Sequence, residues 1–173
     1  MKYLLVLSAA LLAITVSGAG AGGALQAGAE IENAGGEVIG FAKFTEDATG
    51  IVHVNVHAKG LSPGLHGIHI HTVGACAPTF LAAGGHHNPL GHQHGLDNPN
   101  GAHAGDLPNL TVNEKGVGHL NATTDRATLS AGPTTVFDAD GSVLIIHAMP
   151  DDQVTDPTGN SGARVACGVI EAK

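Results

Sequence analysis

The sequence predicts an all-β chain folded as an antiparallel sandwich or barrel, and three observations predict it. Short apolar stretches recur from about residue 25, punctuated by Gly, Asn, Asp and Pro, as strands and turns demand. No window carries a sustained helical period. The 26 glycines among 173 residues work against long helices, because glycine in a helix interior costs about 1 kcal/mol relative to alanine.

The strands follow in order. "EVIGFAKFTE" (37–46) and "IVHVNVHAK" (51–59) come first. In the second, Val52, Val54 and Val56 alternate with His53, Asn55 and His57, so the valines face a core and the polar residues face solvent. "LHGIHIH" (65–71) is next. There Ile68 and Ile70 point inward while His69 and His71 project together from the other face, about 7 Å apart at the backbone. "LTVNEKGVGHLNAT" (110–123) carries a hairpin turn at "NEKG", and "SVLIIHA" (142–148) follows a tight turn at "DADG". "RVACGVIE" (164–171) is the last. Two segments break this rhythm, 72–109 and 150–163. Such long stretches without structure of their own are functional or disordered. The first holds five histidines (His86, His87, His92, His94 and His103), which favours function. With no repeat and no second domain, one domain spans 22–173.

Residues 1–21 read as a signal peptide. Lys2 precedes an apolar run, "YLLVLSAALLAITVS", and small residues around Ala21 offer a cleavage site. The run falls short of the roughly 20 residues a spanning helix needs. The chain is therefore expected to be exported, to a periplasm or the extracellular space, with no membrane association after removal. An oxidising compartment makes Cys76 and Cys167, the only cysteines, an expected disulfide. Closing a loop of about ninety residues would add about 4–5 kcal/mol in the chain-entropy treatment. The net charge of -8, the lack of a basic run and the absence of Trp exclude a nucleic-acid partner.

Histidine dominates the polar chemistry, with 12 residues against 7 Lys and Arg together. The loop "GGHHNPLGHQHGLDNPNGAHAGD" supplies His86, His94 and His103, with Asp106 three residues later. Imidazole suits zinc and copper, and a structural zinc takes four ligands. Three imidazoles and one carboxylate meet that demand. His147, ending the apolar strand of "LIIHAMPDD", reads from its surroundings alone either as a structural histidine or as a further ligand.

Taken together, "GLHGIHIH", "AGGHHNP", "HAGDLPN", "HAMPDD" and "GNSGARVACGVI" stand in the order and approximate spacing of the copper/zinc superoxide dismutases. The chain resembles that family over nearly all of its length after the leader, most strongly at 60–110 and 142–171. The resemblance implies a Greek-key, immunoglobulin-like β-barrel or sandwich with two long functional loops. It implies one copper and one zinc per subunit, and superoxide as the substrate, disproportionated to dioxygen and hydrogen peroxide. By position, His69, His71, His86 and His147 match the copper ligands. His86 matches the bridging imidazole, shared with the zinc ligands His94, His103 and Asp106. Asp151 matches the carboxylate linking a copper-ligand histidine to a zinc-ligand histidine, and Arg164 the arginine that holds the anion; the resemblance implies Arg164 and His86 as the catalytic residues. His66 resembles a structural histidine bonded to backbone, and Thr158 a residue lining the channel. His87 and His92 lie beside ligands but outside the set, and His119 belongs to the surface. A copper/zinc-binding protein on the same scaffold without turnover is the alternative, and the complete ligand set with Arg164 favours the enzyme. One departure is a 152–159 loop without lysine, which leaves local positive potential to Arg164 and the metals. The sequence leaves a homodimer open.

Overall fold

Residues 25–173 are described in this computed structural model; the expected leader, 1–21, lies outside them. Ten strands follow in chain order: β1 (Leu25–Asn33), β2 (Val38–Glu46), β3 (Val52–Lys59), β4 (Gly64–His66) and β5 (Ile68–His71), then β6 (Leu110–Val112), β7 (Val117–Thr124), β8 (Val143–His147), β9 (Arg164–Val169) and β10 (Glu171–Ala172). Among the described residues the one helical element is a 3-10 turn, Phe80–Ala83. The all-β expectation is met.

Pairing is antiparallel throughout, in the order β4-β6-β7-β3-β2-β1-β9-β8-β5, with β10 on β1. The two ends of that order, β4 and β5, are consecutive in the chain and separated by Gly67 alone, so the sheet curls into a nearly closed barrel. Gly67 donates its N–H to Met149 O at 2.8 Å and accepts from the His147 N–H at 2.8 Å. Any side chain there would run into Ser161. The chain leaves β3 for β4 across the barrel, and β7 returns to pair with β3, which is a Greek-key excursion.

Alternation builds the interior as the valines of β3 require: Val52, Val54 and Val56 are buried while Asn55 and His57 are exposed. Ile31, Phe44, Ile68, Ile70, Leu110, Leu144 and Ile146 complete the main core. β8 is buried at every position because both of its faces are covered. Leu144 and Ile146 enter the barrel, whereas Val143 and Ile145 join Ala83 and Cys167 in a smaller cluster against Cys76 and Phe80. Cys76 and Cys167 form the expected disulfide, Cα–Cα 5.9 Å across 91 residues of sequence.

Three features depart from the sequence reading. β1 is a full strand whose buried positions are Ala27, Ala29 and Ile31, and alanine is a weak strand former. The 65–71 stretch is two strands, not one. A third long connection, 125–142, joins β7 to β8, and a buried carboxylate from β2 anchors it. Glu46 accepts from Leu129 N–H (2.5 Å), Ser130 N–H (2.7 Å) and Ser130 Oγ–H (2.6 Å). Glu46→Ala would strand those donors, and the expected loss is about 2–4 kcal/mol. Urea unfolding checks this: the midpoint should fall with an unchanged slope. The exposed Glu37→Ala should stay within about 0.5 kcal/mol of the parent.

Candidate metal centre

β5 carries Ile68 and Ile70 into the core and turns His69 and His71 outward, yet both histidines are 0–1% exposed. The cover is the 72–109 loop, which pairs with β5 as a strand would. Ile70 N–H donates to Gly105 O (2.9 Å) and Ile70 O accepts from His87 N–H (2.8 Å). Isolated bridges join His71 to His86 and His69 to Asp106. Neighbouring residues of an extended segment point to opposite sides. His86 accordingly joins the site, while His87 turns away to Thr134 O, 3.2 Å from its Nε2.

Four of the expected residues form one tight knot. Oδ1 of Asp106 lies 2.9 Å from His86 Nδ1, 3.0 Å from His94 Nδ1 and 3.3 Å from His103 Nδ1, and the Nδ1 atoms of His103 and His86 are 3.3 Å apart. A tetrahedral zinc with bonds of about 2.0–2.1 Å has ligand–ligand edges of about 3.3 Å, so this donor set fits the ion. The other oxygen of Asp106 accepts from Gly95 N–H (2.9 Å) and His103 N–H (3.0 Å), which aims Oδ1 at the cluster.

His69, His71, His86 and His147 form a second group, each offering a nitrogen within 4.8 Å of the others. Their outer nitrogens are committed, which fixes the inner ones. His69 Nε2–H donates to Asp151 Oδ2 (2.7 Å), His71 Nδ1–H to Gly84 O (3.0 Å) and His147 Nδ1–H to Gly162 O (3.2 Å). The free Nε2 atoms of His71 and His147 lie 3.4 Å apart. His69 Nδ1 and His86 Nε2 are buried without a partner, a costly state for a polar atom unless something binds there. Four neutral imidazoles suit copper. His86 belongs to both groups, one nitrogen in each.

Asp151 spans the two groups, with Oδ2 on His69 and Oδ1 accepting from His94 Nε2–H at 3.0 Å. Because those nitrogens are the outer ones, the trio of His69, His94 and Asp151 orients ligands and does not form a third site. Asn109 clamps the Asp151 backbone through two 2.8 Å bonds. Gly159, at φ +60°, leaves room that a side chain would take from Asp151 and His94. Arg164 faces His147 across the β8–β9 pair and donates to Phe80 O (2.6 Å) and Gly84 O (2.5 Å). His66 sits 2.7 Å from His147 O and 2.8 Å from Ser62 O, a backbone bracket. Thr158 is exposed on the 150–163 loop, and His92 bonds Ala102 O (3.1 Å). The sequence reading missed Asn109 and Arg126, which donates to Asp106 O (3.2 Å); Asn109 closes the "HAGDLPN" motif and could have been found there.

Burial pushes the pKa of His69 down to about 3, His71 to about 2 and His147 to about 4, and lowers that of His86. Burial also opposes a charged His94, but the Asp106 and Asp151 carboxylates outweigh it and raise its pKa to about 9. The same burial works against charge on Asp106 and Asp151. Hydrogen bonds from His103, His86 and His94 on the first, and from His69 and His94 on the second, hold both below the usual range. In the unfolded chain imidazoles protonate near 6.5. Below that pH the unfolded chain takes up protons that folded His69, His71 and His147 refuse, so stability is lost as pH falls. His94 has the opposite sign: its contribution is complete below about 6.5 and lost as pH rises through about 9. The metal-free protein is therefore expected to be most stable at about pH 7, with the acid limb the steeper. Denaturant unfolding of chelator-treated protein across pH would show this, and a flat profile would contradict it.

The comparisons with known proteins agree with this geometry. The family described as copper/zinc superoxide dismutase matches residues 38–170. "Superoxide dismutase [Cu-Zn] 2" of Aquifex aeolicus is 46% identical over 149 residues, 84% of this chain and 86% of that protein. The superoxide dismutase-like protein YojM of Bacillus subtilis is 40% identical over 144 residues, 82% of this chain and 74% of that one. The crystal structure of a SOD-like protein from Bacillus subtilis superposes with a TM-score of 0.75 at 38% identity, covering 82% of this chain and 96% of that one. With its family match, its barrel and its two histidine groups joined at His86, the chain belongs to the copper/zinc superoxide dismutase family.

Proposed function

We propose that the chain dismutes superoxide, with His69, His71, His86 and His147 holding copper and His86, His94, His103 and Asp106 holding zinc. The observation that carries the assignment is His86, whose Nδ1 lies in one group and whose buried, unpartnered Nε2 faces the other. Copper supplies the one-electron redox change, and zinc, which has no redox chemistry, supplies fixed charge and geometry. Two superoxide anions and two protons give dioxygen and hydrogen peroxide: one anion is oxidised and the other reduced.

The chain's own groups bind the anion and handle the protons. Arg164 has five N–H donors in a rigid fork and cannot lose its charge at working pH. Phe80 O and Gly84 O hold the fork beside His147, leaving donors for a small anion. Gly84 O also fixes His71, so one carbonyl positions both the ligand and the anion-binding group. His86 Nε2 is the atom placed to hold a proton between the two half-reactions and release it towards peroxide. Asp151 keeps His69 and His94 oriented while this happens. The alternative, metal binding without turnover, does not account for an arginine tethered at this spot.

We also read the chain as exported, to a periplasm or beyond the cell. The apolar leader at 1–21 and the Cys76–Cys167 disulfide support that reading.

Arg164→Ala should keep both metals and lower kcat/KM by on the order of 100-fold. His147→Ala should weaken copper retention and abolish turnover while zinc stays bound. Metal analysis paired with a superoxide-consumption assay measures both; an intact protein that held both metals and consumed no superoxide would overturn the enzyme reading. Because 152–159 has no lysine, the rate should change little with ionic strength, and a steep fall with salt would contradict weak steering.

A further inference from the structure

Ten of the 12 histidines have occupation: six in the two metal groups, and His53, His66, His87 and His92 in hydrogen bonds. His57 and His119 remain, and they are partners. They sit directly opposite each other in the β3–β7 pair, exposed on the outer face of the barrel, with ring centroids 4.6 Å apart at 69°. Neither ring makes a hydrogen bond among the described residues. Phe41 stacks on His57 at 6.2 Å and narrows the positions its ring can take.

We propose that His57 and His119 form a third metal site, separate from the catalytic pair, that takes a divalent copper or zinc ion from solution. Side chains directly opposed on one face have Cβ atoms about 5 Å apart, a span that lets one ion bind both imidazoles. The strands are paired over eight consecutive positions, Val52↔Thr124 to Lys59↔Val117, so the backbone spacing is set before the ion arrives. That lowers the ordering cost of binding. Two imidazoles select nitrogen-seeking ions, copper(II) ahead of zinc(II) in the general order of divalent affinities. The cross-strand neighbours Asn55 and Asn121 bring no carboxylate, and Lys43, paired with Asn55, is a cation. Solvent must complete the coordination, so the site is weaker than the buried ones and exchanges freely.

The test titrates copper(II) into protein already loaded with copper and zinc, by calorimetry. The expected result is one additional ion per chain, with zinc(II) binding the same site more weakly. His57→Ala and His119→Ala should each lower that affinity at least tenfold, while His92→Ala leaves it intact and none of the three changes the content of the buried sites. Electron paramagnetic resonance of the added copper should show coupling to two imidazole nitrogens, lost in either of the first two variants. No additional ion, or an additional ion bound equally by the His57→Ala/His119→Ala double variant, would overturn the proposal.

Discussion

Everything in this protein hangs on the two faces of one four-residue strand. β5 must put Ile68 and Ile70 into the barrel, and the pleat then has no choice but to send His69 and His71 out the other side. Burial of those isoleucines is a hydrophobic term of about 1.5–3 kcal/mol each, and slipping the register by one residue would exchange all four side chains. The core therefore holds the metal ligands in place. The same strand lies next to Gly67, so the closure of the barrel and the placement of the site are one event.

The loops add what the barrel lacks. Segments 72–109 and 150–163 do not drift over β5. The first bonds to the Ile70 backbone through Gly105 and His87, the second is tied to the first through Asp151 and Asn109, and the Cys76–Cys167 disulfide ties the first to β9. The outer nitrogens of the ligand rings are satisfied by Gly84 O, Gly162 O and Asp151, so the inner nitrogens point where an ion is needed. Without metal, this leaves buried nitrogens unpartnered and imidazoles that resist protonation, and it sets the stability of the metal-free protein against the chemistry of the holoprotein.

Much of this was legible in the residues, but unevenly. Period-two patterns in β3 and β5 and the short apolar runs of β2 and β8 gave the barrel its strands, and "NEKG" and "DADG" gave its turns. β1 was hidden because Ala27 and Ala29 bury little surface and look like linker. Gly67 was hidden because a single residue dividing two strands leaves no pattern. The Glu46 anchor was invisible: a carboxylate ending a strand looks solvated until the connection it holds is folded beneath it. At the site, strand alternation made His69 and His71 a pair but made His53 and His57 look equally paired. Likeness to a family, and not periodicity, separated them. The carbonyls that hold His71, His147 and Arg164 carry no side-chain identity, so no reading of residue types could name them.

The central claim is that one imidazole, His86, joins two metal positions. Loading copper(II) in the first group and cobalt(II) in the second, and recording the copper resonance, tests it most directly. A shared imidazole should couple the two ions magnetically and suppress the ordinary copper signal. An unperturbed copper spectrum, with both ions shown to be bound in their groups, would contradict the account.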